Sequence, residues 1–168
     1  MNKILYATDF STAGHTALEM ATSLARARGA KLLIVHVEEP PTAYGGGELY
    51  YGIEMPDHRE LLRMLSQVLP TDTRVGYEHR LVVGSPAGGI LHIAEKDNVE
   101  MIVMATHGRT GLMRMLMGSV AEEVVRKAKC PVVTVKAKPP NKAQVAVPAP
   151  ASAARIGAKF IAAQTTVP

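Results

Sequence analysis

The residues of this 168-residue chain best suited to chemistry cluster around a group of glycines. Met101-Ile102-Val103-Met104-Ala105 is apolar throughout and gives way to Thr106-His107-Gly108-Arg109-Thr110-Gly111, with Gly118-Ser119 a few residues on. Lacking a Cβ, Gly108 and Gly111 let the backbone turn through positive φ and aim N–H groups inward. Gly118 permits close approach at a helix start. Ser119 adds a hydroxyl where unpaired N–H groups and the helix dipole already favour negative charge. The expected chemistry is anion binding, with the amides around Gly108 and Gly118 cradling a polyphosphate. Glycines after a strand also serve as plain turn residues, and spacing alone leaves that alternative open. Neither the P-loop pattern nor a G-x-G-x-x-G is present.

Other side chains divide by what stands near them. Asp9 closes an apolar segment; it reads either as a turn or capping residue, or as a hydrogen-bonding partner of a bound base or a ligand of a phosphate-bound Mg²⁺. His107 has no nucleophile or orienting carboxylate nearby in sequence, so contact with ribose or phosphate suits it better than base catalysis. Arg109 either neutralises phosphate or is an ordinary surface arginine. His36, inside an apolar run, reads as a satisfied core histidine, and His15, His58, His79 and His92 have no metal-ligand spacing. Cys130 is the only cysteine, which excludes an internal disulfide framework and a Cys-based zinc site. Met113, Met115 and Met117 are gap-filling core residues, a cover for a ligand, or a subunit contact.

These groups must be held by elements, and the elements are legible. Ile4 to Thr8 and Leu32 to Val37 read as buried strands, and Thr12 to Arg28 between them as a helix, with Ser11 as its cap and Gly29 as its stop. Residues 38 to 56 form a long connection rich in Pro, Gly and Tyr. Asp57 can cap a helix running to about Leu69, where Pro70 stops it. Arg74 to Val83 alternates, placing Val75, Tyr77, His79 and Leu81 on one face, as an edge strand does. Ser85 and Pro86 open a helix to about Lys96, whose Gly88-Gly89 predicts a close approach. Met101–Ala105, a helix from Val120 to about Lys127, and Val132–Val135 complete the series. Five strands alternating with four helices give an α/β, doubly wound parallel sheet. Ligands of such sheets bind outside the carboxyl ends of the strands, where the strand order reverses.

Composition narrows the function classes. The chain is 47% hydrophobic, enough to fill a core, so wholesale disorder is excluded. Its formal net charge is +4, but all 15 acidic residues precede residue 136. The first 135 residues carry 14 basic side chains against those 15, and the remainder carries five basic ones. The basic character belongs to the tail, so no nucleic-acid partner is expected for the folded part. Pro139-Pro140, Pro148, Pro150 and many alanines make residues 137–168 a linker or flexible tail, with a basic amphipathic helix near Ser152 to Ala163 as the alternative. No apolar run reaches the ~18 residues of a membrane span, and the start has no leader pattern, so a cytoplasmic location is expected.

Three stretches carry a family resemblance. KILYATDFS (Lys3 to Ser11), VVGSPAGGI (Val82 to Ile90) and the segment from Met101 to Lys136 resemble the universal stress protein family, over roughly residues 1 to 136. The family's nucleotide-binding members carry G-x2-G-x9-G-[ST]; Gly108, Gly118 and Ser119 match it, and Ala105 stands at its first glycine. The resemblance implies a Rossmann-like, three-layer α/β/α fold of the adenine nucleotide alpha hydrolase-like type with strand order 3-2-1-4-5. It also implies a homodimeric, cytoplasmic, ATP-binding stress-response protein. The adenine is then expected near Ala7, Thr8, Asp9 and Val37. Ribose and phosphates are expected along Met104, Ala105, His107, Gly108, Gly118, Ser119 and Val120; Arg109 on phosphate and Mg²⁺ at Asp9 are added by the reading of those residues above. Weak ATP hydrolysis through Asp9 or His107, and a dimeric interaction role without nucleotide, are the alternatives. The last strand, Val132 to Val135, is the expected dimer edge, because pairing with its own copy removes exposed backbone groups, and a proline at Val133 is the obvious test.

Overall fold

A computed structural model describes residues 2–40, 57–107 and 117–136. In chain order the elements are β1 (Lys3–Ala7), α1 (Gly14–Arg28), β2 (Lys31–Glu38), α2 (His58–Ser66), β3 (Tyr77–Val83), α3 (Pro86–Lys96), β4 (Met101–Ala105), α4 (Ser119–Lys127) and β5 (Val132–Val135). The strands form one parallel sheet in the order β3-β2-β1-β4-β5. That is the doubly wound arrangement the sequence implies.

Position in the sheet follows hydrophobic pattern. The interior strands β1, β2 and β4 are apolar on both faces and buried along nearly their whole length. The outer strand β3 is only intermittently buried, and all four residues of β5 are half-buried. Alternation sorts the core into two clusters. Leu5, Leu33, Val35, Val82 and Ile102 face α3 and α4, packing with Ile90, Ile93 and Val124. Ile4, Tyr6, Leu32, Ile34 and Val103 face α1 and α2, packing with Ala17, Ala21 and Leu65.

Element ends show where local chemistry overrides the pattern. Ser11 does not cap α1. Its N–H and hydroxyl both donate to Asp9 Oδ1, at 3.0 and 2.6 Å, and its carbonyl accepts from Gly14 N–H. The helix therefore starts two residues later than expected, with Ala13 at the cap position. Gly29 ends it in the left-handed conformation, φ 59°, as anticipated. Asp57 and Ser85 occupy cap positions, but their side chains make no capping bond. Helix α2 stops before Pro70 because Gln67 and Val68 bond to the carbonyls three residues back, tightening the last turn. β3 starts at Tyr77 because Asp72 closes a turn, accepting from Val75 N–H through its carbonyl and from Arg74 N–H through its carboxylate. His79 on β3 is buried and donates Nε2–H to Val68 O at 2.8 Å; burial lowers its pKa.

The close approach predicted by Gly88-Gly89 is a contact of α3 with β2. A Cβ on Gly89 would lie 2.8 and 2.9 Å from the two methyls of Val37, a buried and rigid neighbour. Gly89→Ala gains about 1 kcal/mol of helix propensity but overpacks this contact by about 1–3 kcal/mol. A net fall in melting temperature is expected. Gly88→Ala faces only the rotatable Ser85 hydroxyl and should be neutral or stabilising. Thermal melts of the two variants check this, and equal melting temperatures would refute it.

Candidate functional site

The strand order reverses at β1, whose neighbours β2 and β4 lead the chain in opposite directions. The crevice at the carboxyl ends of these strands is therefore where a ligand is expected. Register sets its floor: Ala7 pairs with Val35 on β2 and with Met104 on β4. Val37 and Met104 are buried in the cluster facing α3 and α4, and Ala7, Met117 and Val120 pack against that same cluster. Four of the apolar residues expected to line the site, Ala7, Val37, Met104 and Val120, thus come together on one face of the sheet edge. The missing side chain of Gly89 leaves room for the Val37 methyls among them.

Ala105 goes the other way. One residue beyond Met104, it presents its methyl to the opposite cluster, with Val133 and Val135. The methyl at the motif's first glycine position therefore packs toward α1 and away from the start of α4.

The entrance to α4 is built by Thr106. Gly118 N–H donates to Thr106 O at 2.7 Å, and Gly118 O accepts from Glu122 N–H. A Cβ on Gly118 would sit 3.3 Å from that same Thr106 carbonyl and 3.8 Å from His107 Cα. Gly118 has φ −72° and ψ 154°, which any residue adopts, so glycine is needed here for space. This corrects one expectation: the Gly118 amide is already bonded to the protein's own carbonyl. The groups left for an anion are the N–H groups of Ser119, Val120 and Ala121 in the first turn, which an α-helix leaves without intrahelical acceptors. Thr106 N–H in turn donates to Val135 O at 2.9 Å, tying this turn to the end of β5. The Thr106 hydroxyl and His107 Nδ1 are hydrogen-bonded at 2.9 Å.

The loop after β1 is equally constrained. Thr8 N–H donates to Val35 O, and the Thr8 hydroxyl accepts from Phe10 N–H. Asp9 Oδ1 holds both donors of Ser11. Tyr6, beneath this loop, donates its hydroxyl to Gly14 O at 2.9 Å, and burial raises its pKa. Among the described residues no cluster of three or more His, Cys, Asp or Glu is arranged to hold a metal ion. Gly108, Arg109, Gly111, Met113 and Met115, the connection 41–56 and the tail 137–168 lie outside the described residues. Sequence reasoning passed over two participants. Thr106 carried no signal beyond its place before His107, and a phenylalanine at position 10 gives no hint of its positive φ.

An open, doubly wound parallel sheet with a glycine-spaced helix start at its switch point defines a Rossmann-like α/β protein. The profile described as "Universal stress protein family" matches residues 1–136. A universal stress protein of Methanocaldococcus jannaschii is 33% identical over 139 residues, which are 80% of this chain and 81% of that one. One of Thermus aquaticus is 34% identical over 134 residues, covering 79% and 97%. The solved structure of the universal stress protein from Archaeoglobus fulgidus in complex with dAMP matches with a TM-score of 0.58 and 26% identity, covering 80% of this chain and 97% of that one. The chain belongs to the universal stress protein family.

Proposed function

We propose that this protein binds an adenine nucleotide, ATP foremost, at the carboxyl edge of β1, β2 and β4, and acts as a cytoplasmic regulatory homodimer. The observation carrying this reading is the gathering of Ala7, Val37, Met104 and Val120 on one face, directly beside the first turn of α4. The apolar floor suits a purine, and the free ends of α4 amides suit phosphate. The dAMP complex of the Archaeoglobus fulgidus relative supports the same ligand class. Asp9, Thr8 and Val37 then meet the base, and His107, Gly108, Arg109, Ser119 and Val120 the ribose and phosphates. Ala105 contributes backbone only. Among the described residues Asp9 is not part of a metal-holding cluster, so a Mg²⁺ there would draw further ligands from the nucleotide's phosphates and water.

Binding is favoured over hydrolysis because both groups that hydrolysis would call upon are engaged. Asp9 holds Ser11, and His107 is bonded to Thr106. Calorimetric titration with ATP tests the reading. Saturable binding with a dissociation constant below about 1 mM is expected, and its absence would overturn the proposal.

The dimer reading rests on unlike sheet edges. On β3, Glu78 and Arg80 join Lys3, Lys31 and Asp97 in a half-buried ion network, the kind of charge that guards an edge. The sequence of β5, Val-Val-Thr-Val, has no charge at all. We assign β5 as the edge that pairs with its copy across a two-fold axis.

A further inference from the structure

On the α1 side of the sheet lies a histidine to which the nucleotide reading gives no task. His36 is 7% exposed, one residue before Val37. Its Nδ1 is 2.8 Å from Thr8 O; since a carbonyl only accepts, Nδ1 carries the proton. The Phe10 ring lies against the imidazole, with centroids 4.2 Å apart and planes tilted by 41°. Phe10 has φ 63°, a left-handed conformation that costs a residue with a Cβ about 1–2 kcal/mol. It persists where surrounding contacts impose it. Here they are the stacked imidazole and the bond from Phe10 N–H to the Thr8 hydroxyl, 3.1 Å.

Asp9 stands between Thr8 and Phe10, so its backbone is bracketed by two residues that both close on one ring. We propose that His36 is a positioning residue for the nucleotide. It clamps Thr8 through the carbonyl and Phe10 through the ring, and thereby fixes where Asp9 meets the base. The end of β2 then serves the ligand from both faces, with Val37 as floor and His36 as brace behind the loop. The inference rests on the nucleotide reading, but the brace itself is measurable without ligand.

The experiment compares the full-length protein with His36→Asn, whose amide N–H can replace Nδ1–H, and His36→Leu, which has no donor. Amide hydrogen exchange is followed without ligand, and ATP affinity is measured by calorimetry. In His36→Leu, the Phe10 and Ser11 amides should exchange about tenfold faster while those of β1 and β4 keep their rates. ATP affinity should fall about tenfold through lost preorganisation. His36→Asn, which keeps the bond to Thr8 O but not the stacked ring, should restore part of both. Unchanged exchange at Phe10 and Ser11 overturns the proposal. So does acceleration spread evenly through the sheet, or His36→Asn behaving as His36→Leu does. Should His36→Leu fail to fold, Phe10→Ala at its half-buried site removes the stacked ring, and a wild-type exchange rate at Ser11 then overturns the brace. A wild-type protein that ignores ATP would sink the nucleotide reading alone, because exchange still decides the role of His36.

Discussion

Valine at position 118 should weaken ATP binding by at least about tenfold, or about 1.4 kcal/mol. The melting temperature should fall modestly, by the cost of one broken hydrogen bond, about 0.5–1.5 kcal/mol. Even a methyl there meets the Thr106 carbonyl at 3.3 Å, and the added methyls of valine extend further into the same gap. The backbone at Gly118 is unstrained, so the effect is steric and local. Relief comes from swinging the entrance of α4 away from Thr106, which breaks the 2.7 Å bond and re-aims the first-turn amides. Ala105→Gly is the informative contrast. It restores the family's first glycine but removes a methyl that packs toward Val133 and Val135. The expected result is a loss of about 0.5–1 kcal/mol in stability from the strand glycine, with ATP affinity unchanged within about twofold. Calorimetry on both variants decides the matter. A large gain in affinity from Ala105→Gly would mean that the ligand backs onto that methyl after all.

Thr134→Pro should convert the proposed dimer into a folded monomer, read by light scattering. The choice of residue follows from the ladder. Ile102 N–H donates to Pro131 O, and Thr106 N–H to Val135 O, so those carbonyls face β4. Backbone groups of alternate residues point to opposite sides of a strand, so Val133 faces β4 as well, and Val132 and Thr134 turn outward. Proline at Val133, the test suggested by sequence, would therefore damage the β4–β5 pairing itself. Proline at Thr134 removes an outward donor at an edge, where it is tolerated within the sheet. An unaltered dimer in Thr134→Pro would move the interface elsewhere.

The layered fold was readable because each interior strand is a short run buried on both faces, and each covering helix ends at a glycine, a proline or a local turn. Strand β3 announced its edge position through alternation: Val75, Tyr77, His79 and Leu81 do share the face toward α1 and α2. Candidate site residues could be named as positions along the chain, because strand tips are where ligands meet such sheets. Their bonding was not. Ser11 resembles a cap until Asp9, two residues earlier, claims both of its donors. Gly118 resembles an offered amide until Thr106 takes it. These are competitions between near-equal local hydrogen bonds, and composition does not rank them. The direction of the Ala105 methyl follows from strand alternation, which becomes usable once Met101 and Val103 are known to face α1.

Thr106 joins two regions that are distant in sequence. Its N–H is held by the final residue of β5, and its carbonyl holds the amide that opens α4. A residue held at both its N–H and its carbonyl links the two places, so a shift at the helix entrance is passed on to the outermost strand. Energetic influence along such a link runs equally in both directions. If the proposed nucleotide fills the crevice and the proposed dimer pairs the terminal strand, the two events meet at this one residue, and each would change the other's equilibrium by the same factor.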